Sequence, residues 1–113
     1  MSSSQTCTPP MAAAGLASDV VYRRAVAVVA RAERLKVRDV LCPRGWHARR
    51  ARQTAVYLAV TEGNAPLRRV ARAVGCSLHT VQKALRRVED LRDDGIADGR
   101  IELLGEKFHA TAA

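Results

Sequence analysis

Polar and basic side chains recur near the middle of the chain at the spacing of one helix face. His79, Lys83 and Arg86 follow one another at intervals of four and three residues, which brings their side chains to one side of an α-helix. Imidazole, amide and cationic groups form the hydrogen bonds that base edges offer in the DNA major groove. The residues predicted to face such a groove are Ser77, Leu78, His79, Gln82, Lys83 and Arg86.

The residues around this stretch have the spacing of a helix-turn-helix. Ala71 is small enough for two helices to cross closely, and Gly75 tolerates the positive φ that the turn needs. Val81, six positions later, supplies an apolar anchor for the second helix. Ser77 stands where an N-cap belongs, because its hydroxyl can accept a hydrogen bond from a backbone N–H of the next helix. An ordinary helical hairpin with a glycine turn would give the same pattern.

Basic residues are concentrated in the segment that contains this motif. Residues 43–92 include eleven basic and three acidic side chains, and this excess equals the formal net charge of +8 of the whole chain. Most of the 19 basic residues are arginine, whose forked guanidinium suits phosphate and guanine. An excess confined to one segment favours a polyanion-binding surface over a solvated basic face.

Hydrophobic periodicity predicts an all-α fold, a small helical bundle. A first helix is expected to begin at Ser18 or Asp19, with an apolar stripe of Val21, Ala25, Val28, Val29 and Ala32. Further helices are expected over residues 37–41, 50–61, 67–74 and 77–92.

Residues 44–50 are predicted to form a basic loop plugged by Trp46. Residues 101–108 are expected to form either a short helix that docks back or a partner-binding tail. The predicted boundaries are a disordered tail over 1–17, a DNA-binding domain over 18–105 and a C-terminal tail over 106–113.

Several classes of function lack their sequence signals. The three cysteines, Cys7, Cys42 and Cys76, are odd in number and irregularly spaced, which predicts reduced thiols in a cytoplasm. A zinc site would need Cys42, Cys76, His47 and His79 to converge. The sequence contains no CxxC or HxxxH pair that would support such a site, so no metal is predicted. No catalytic triad spacing and no glycine-rich nucleotide loop are present, so no enzyme, cofactor or small-molecule substrate is predicted. Neither a signal peptide nor an apolar run long enough to cross a membrane is expected.

Four stretches together carry a resemblance to a known family. They are ERLKVRDVL from Glu33, ARQTAVYLA from Ala51, the helix-turn-helix, and TVQKALRRVEDL from Thr80. Through them the sequence from about Val20 to Leu104 resembles the C-terminal DNA-binding domain of the bacterial replication initiator DnaA. The resemblance implies an all-helical domain whose second motif helix enters the major groove.

The resemblance also assigns a role to the basic segment before the motif. The pair Arg52-Gln53 is fairly specific to this family, and the resemblance implies that Arg49, Arg50 and Arg52 reach the neighbouring minor groove or its phosphates. Motif and resemblance together predict a DNA-binding set of thirteen residues. They are Arg44, Arg49, Arg50, Arg52, Gln53, Ser77, Leu78, His79, Thr80, Gln82, Lys83, Arg86 and Arg87.

Two departures distinguish this chain from the complete initiator. Where the family has Asp-His-Thr-Thr, this chain has Ser77, Leu78, His79 and Thr80. A leucine favours a thymine methyl group, so a duplex sequence other than the initiator's box is expected. The chain also lacks the GxxxxGK[ST] loop of an ATPase.

These observations predict a double-stranded DNA-binding regulator of transcription in the cytoplasm, associated with the nucleoid. Small proteins with this domain include activators of prophage-like gene transfer agent clusters, so the resemblance implies an activator. RNA polymerase or a partner regulatory factor is the protein partner expected at the termini. The alternatives are a replication-control protein that binds initiator boxes, and an adaptor that recruits a partner protein to DNA.

Overall fold

A computed structural model describes residues 16–112, and every regular element in this range is an α-helix. The predicted all-α fold is therefore confirmed. Most of the predicted tail over residues 1–17 lies outside the described residues, although Leu16 already belongs to the first helix. The helices are α1 (Leu16–Glu33), α2 (Val37–Leu41), α3 (Trp46–Thr61), α4 (Leu67–Val74), α5 (Leu78–Leu91) and α6 (Gly95–Ala112).

Helix α1 lies at the centre of the bundle and packs on α2, α3, α4 and α6. Because neighbours surround it on several sides, its buried face is wider than the predicted stripe. Tyr22 and Val26 are also buried, whereas Ala32 at the end of the stripe is exposed. The helix begins before Ser18, so neither Ser18 nor Asp19 is the residue that precedes it.

Helices α4 and α5 are joined by the short turn that the sequence predicted. Gly75 has φ 85° and ψ 34°, a left-handed conformation that L side chains rarely adopt. The backbone N–H groups of Gly75 and Cys76 both donate to the carbonyl of Ala71, at 2.8 and 3.0 Å. The Ser77 hydroxyl accepts a hydrogen bond from the backbone N–H of Thr80 at 3.1 Å, which confirms the predicted N-cap.

Helix α3 begins earlier than the sequence predicted. Gly45, with φ 86°, precedes it, and Ala48 and Ala51 in its first turns are buried. The predicted basic loop over residues 44–50 is therefore mostly helix. Trp46 does not plug this segment, because its side chain is 69% exposed at the first position of α3. The alanines that face the core turn the tryptophan outward.

Helix α6 settles the two alternatives for the C-terminal segment. Ile101, Leu104 and Phe108 are buried, so this helix docks back on the bundle. It continues to Ala112, and residues 106–112 are thus part of the bundle rather than a separate tail. The Arg24 guanidinium lies over the Phe108 ring, 5.4 Å from its centroid.

Candidate nucleic-acid interface

The outward face of α5 presents the predicted contact residues. Val81, Ala84 and Val88 bury the opposite face, and this fixes the rotation of the helix. His79, Gln82, Lys83 and Arg86 are consequently exposed, as is Arg87 on the flank. The predicted outward placement of these residues is confirmed, whereas the side chain of Leu78, which was also predicted to face outward, is partly buried.

The charge of this face changes sign along the helix. His79, Lys83 and Arg86 occupy the first three turns, whereas Asp90 follows on the same face at the next four-residue interval. Glu89 is also exposed, and Asp93 and Asp94 come directly after the helix. A polyanion is therefore attracted to the N-terminal part of α5 and repelled at its C-terminal end.

The side chains of Ser77 and Thr80, at the beginning of α5, contact each other. The Ser77 hydroxyl lies 3.0 Å from the Thr80 hydroxyl in addition to its cap contact. Both side chains are exposed, so their remaining lone pairs stay accessible to a ligand. The cap holds the first turn of α5 rigid at the point where base contacts are predicted.

A groove between α3 and α5 brings together predicted residues that are distant in the sequence. Arg49, Arg52 and Gln53 from α3 line it together with Thr80 and Lys83 from α5. The groove has a volume of about 180 Å³, and the apolar residues Val56, Val74, Val81 and Ala84 contribute to its lining along with Cys76. No acidic side chain of the described residues lines it, so three cations act on the same space.

A second cleft extends this basic groove toward the turn. Arg49, Arg52 and Cys76 line both spaces, and Leu41, Pro43 and Gly75 complete the second one, which has a volume of about 310 Å³. The positively charged surface therefore continues from α5 past the turn to the end of α2. The sequence did not predict the apolar lining, because its residues come from α2, α3, α4 and α5.

Several basic residues of the sequence analysis do not line this groove, among them Arg86 on the outward face of α5. Arg50 lies on another side of α3, with its guanidinium 4.8 Å from the centroid of the Trp46 ring. It was predicted in a loop beside Arg49 and Arg52, but the helical geometry separates it from them. Arg44 is exposed just before Gly45, and Arg87 is exposed on α5 beyond Lys83. Arg92, counted in the basic segment, is bound internally by Asp98, Glu102 and the Tyr57 hydroxyl.

A buried tyrosine, Tyr22, and a partly buried cysteine, Cys76, both lie within the electrostatic influence of Arg52. The Tyr22 hydroxyl is buried and has no hydrogen-bond partner among the described residues. Burial raises the pKa of Tyr22 above its usual value, and the positive charge of Arg52 opposes this shift. Burial likewise raises the pKa of the Cys76 thiol, again opposed by Arg52. Cys76 therefore lines the groove as a neutral thiol at pH 7, and it does not offset the positive charge there.

Residues 16–112 contain neither a metal-binding cluster nor a membrane-spanning helix. No group of three or more His, Cys, Asp and Glu side chains within residues 16–112 is arranged to hold a metal ion. None of the six helices combines the length and the apolar character needed to cross a bilayer. Comparisons of the chain with protein-family models, curated proteins and solved structures found no match. The resemblance to the DnaA domain accordingly rests on the four sequence stretches given above.

Proposed function

We propose that this chain is a sequence-specific double-stranded DNA-binding protein that regulates transcription. The observation that carries the proposal is the basic groove, in which Arg49 and Arg52 of α3 meet Lys83 of α5. This groove lies directly beside an exposed helix face of base-reading residue types. In this proposal α4 and α5 act as a helix-turn-helix, and α5 enters the major groove.

The charge gradient of α5 determines how the helix would dock. Phosphates are favoured near a helix N-terminus, because the free N–H groups and the helix dipole both attract anions. The exposed Asp90 repels phosphate at the other end. The first three turns of α5 therefore enter the major groove and present His79, Gln82 and Arg86 to base edges, whereas its C-terminal end tilts away.

The residues around the basic groove hold the protein on the phosphate backbone. Arg49, Arg52 and Lys83 neutralise phosphates along one strand, and such contacts fix the register without reading sequence. Gln53 lies among them and orients the helix by hydrogen bonds. Arg44 is exposed next to Pro43, which lines the extended cleft, and in this proposal it adds a further phosphate contact.

The beginning of α5 determines which duplex is recognised. Leu78 presents an apolar side chain where the DnaA family has a polar one, and this favours a thymine methyl group.

Selection of bound duplexes from a random library by the full chain tests the proposal. We expect an enriched motif, and we expect His79→Ala to relax one position of it at a cost of about 1–3 kcal/mol. A library without any enriched motif would contradict sequence-specific binding.

One observation favours a second candidate, a replication-control protein that binds initiator boxes. The Arg52-Gln53 pair, on which the resemblance to the initiator depends, lines the basic groove. A gel shift that compares initiator boxes with the selected duplex separates the two candidates. Preference for the boxes identifies the replication-control protein, and preference for the selected duplex supports the regulator.

The mode of regulation follows from the resemblance. We propose an activator, of the kind that switches on prophage-like gene transfer agent clusters, acting in the cytoplasm at the nucleoid. A reporter gene placed behind the selected duplex tests the direction of regulation, because an activator raises its expression and a repressor lowers it.

A further inference from the structure

The exposed Trp46 lines a cleft that the DNA proposal does not use, and Ile96 and Leu103 are exposed on helix α6, which also lines this cleft. Trp46 is 69% exposed and Ile96 is 78% exposed, and Leu103 is about half-exposed. Ile96, Arg100 and Leu103 follow at intervals of four and three residues, so they share one face of α6. Clustered exposed apolar side chains with a polar rim mark surfaces that bind a partner.

The cleft has the size of a pocket for one anchoring side chain. It lies between the end of α1, the beginning of α3, the end of α5 and the middle of α6, and its volume is about 270 Å³. Small-molecule sites are larger, roughly 300–1,000 Å³. Its apolar lining consists of Ala51, Leu91, Ala97, Ile101 and Leu104, with Trp46 at the edge.

The rim of this cleft is positively charged. The Arg50 guanidinium lies over the Trp46 ring, and the Arg100 side chain is 70% exposed at a different point of the lining. Glu33 is the acidic residue in the lining, and it lies 3.6 Å from Arg100 and 2.9 Å from His47. Two arginines and one carboxylate leave an excess of positive charge beside an exposed tryptophan.

We infer that this cleft docks a partner protein through an apolar anchor side chain flanked by acidic residues. Tryptophan and arginine are the residue types that dominate binding energy at protein interfaces. The apolar anchor fills the cleft and covers Trp46, and the flanking carboxylates pair with Arg50 and Arg100.

The cleft lies on a different face of α3 from the basic groove. Arg49, Gln53 and Val56 line the groove, whereas Trp46, Arg50 and Thr54 line the cleft. A partner and a duplex can therefore occupy the protein together. The inference itself depends only on the cleft and its rim.

Trp46 is the single tryptophan of the chain, and its emission therefore reports directly on this surface. The test begins with a displayed library of random peptides of about 16 residues, long enough for four helical turns. The library is selected on the full chain and counter-selected on the double variant Trp46→Ala, Arg100→Ala. This variant keeps Arg49, Arg52 and Lys83, so peptides that merely bind the basic groove are removed.

The selected peptides should carry an aromatic or aliphatic residue flanked by Asp or Glu. Their binding should shift the Trp46 emission to shorter wavelength, because the indole leaves water. Arg100→Ala should weaken binding by about tenfold. The charge-matched variant Arg31→Ala, on α1, should leave it unchanged.

Four results would overturn the inference. The first is that no peptide survives counter-selection, and the second is that the survivors lack acidic residues. The third is that duplex DNA shifts the Trp46 emission while the peptides do not, which makes this surface part of the DNA interface. The fourth is a concentration-dependent dimer that Trp46→Ala abolishes, which makes a second copy of the chain the occupant.

Discussion

Tyr22 and Tyr57 are both buried but differ in what their hydroxyl groups contact. The Tyr22 hydroxyl has no hydrogen-bond partner among the described residues, whereas the Tyr57 hydroxyl accepts a hydrogen bond from Arg92 at 3.0 Å. A buried polar group without a partner costs stability, and a satisfied one contributes to it. The two tyrosines therefore form a matched pair for measuring this difference.

We predict that Tyr22→Phe raises the free energy of unfolding by about 1 kcal/mol and that Tyr57→Phe lowers it by about 1 kcal/mol. Urea unfolding of both variants measures these changes. Because burial raises the pKa of Tyr22, the proton is held more tightly in the folded state. The difference in proton affinity has no effect on the unfolding free energy below the usual tyrosine pKa of about 10. The unfolding free energy falls as the pH rises above this value, because the unfolded chain then releases the Tyr22 proton more readily than the folded protein does. Tyr22→Phe should remove this part of the loss of stability at alkaline pH. Equal losses in the Tyr22→Phe variant and in the unsubstituted protein would contradict this prediction.

The sequence places Lys83 among the residues predicted to face base edges, but its position in the basic groove leads us to expect a phosphate contact instead. It lines the basic groove with Arg49 and Arg52, so Lys83→Ala should weaken binding to all duplexes alike and reduce the salt slope by about 1. Arg31→Ala removes the same charge from an exposed position of α1, which does not line the groove, and it should change the slope less. Fluorescence anisotropy at several salt concentrations measures both. A loss confined to one duplex sequence would identify Lys83 as a base contact.

At the scale of elements, the turn between α4 and α5 depends on the conformation of Gly75. A Cβ at this position would meet no atom within 4 Å, but φ is 85°, so Gly75→Ala introduces backbone strain without a clash. We predict a loss of about 1–2 kcal/mol in unfolding free energy. Gly99, exposed inside α6, has equally open space and no positive φ.

Gly99→Ala is therefore the matched control, and it should raise stability by about 0.5–1 kcal/mol because alanine favours a helix. Thermal unfolding followed by circular dichroism measures both variants. If the two glycine variants shift the unfolding free energy in the same direction, the left-handed turn is not what Gly75 provides.

The turn and its flanking helices were predictable because their signals are local. Ala71, Gly75, Ser77 and Val81 lie within eleven positions, and each acts on the backbone beside it. The beginning of α3 was not predicted, because the arginines around Ala48 and Ala51 conceal a short small-residue face. That face becomes buried only when the other helices pack on α3, which is a tertiary effect.

The candidate site was predictable in composition and only partly in geometry. Arg49 and Arg50 are adjacent in the sequence and were assigned the same role. Inside a helix, adjacent residues point in different directions, so Arg49 joins the basic groove and Arg50 lies over Trp46. The partner cleft could not be predicted, because its lining comes from α1, α3, α5 and α6.

At the scale of the whole molecule, α6 completes the core that positions the site. Phe108 is only 2% exposed and belongs to the same core cluster as Tyr22 and Leu58. Phe108→Ala should therefore lower the free energy of unfolding by about 3–5 kcal/mol. Leu103 on the same helix is half-exposed, and Leu103→Ala should change it by less than about 0.5 kcal/mol. Urea unfolding of both variants tests whether residues after 105 belong to the folded domain, and two equally small losses would contradict it.

Charge is distributed unevenly over the molecule. Arg49 and Arg52 of α3 and Lys83 of α5 line one groove, whereas Asp90, Asp93 and Asp94 lie toward the other end of α5. In the proposed function, this asymmetry orients the protein on DNA before close contact forms. Phosphate contacts made by these cations then make the affinity strongly dependent on salt.

The salt dependence of affinity for the selected duplex tests the central claim most directly. If the protein makes about six phosphate contacts, the slope of log affinity against log salt is about −5, and affinity falls about a thousandfold between 50 and 200 mM salt. The double variant Arg49→Ala, Lys83→Ala should have a slope smaller by about 2. An affinity that does not change with salt, or a slope that the double variant leaves unchanged, would contradict the assignment of this groove to DNA.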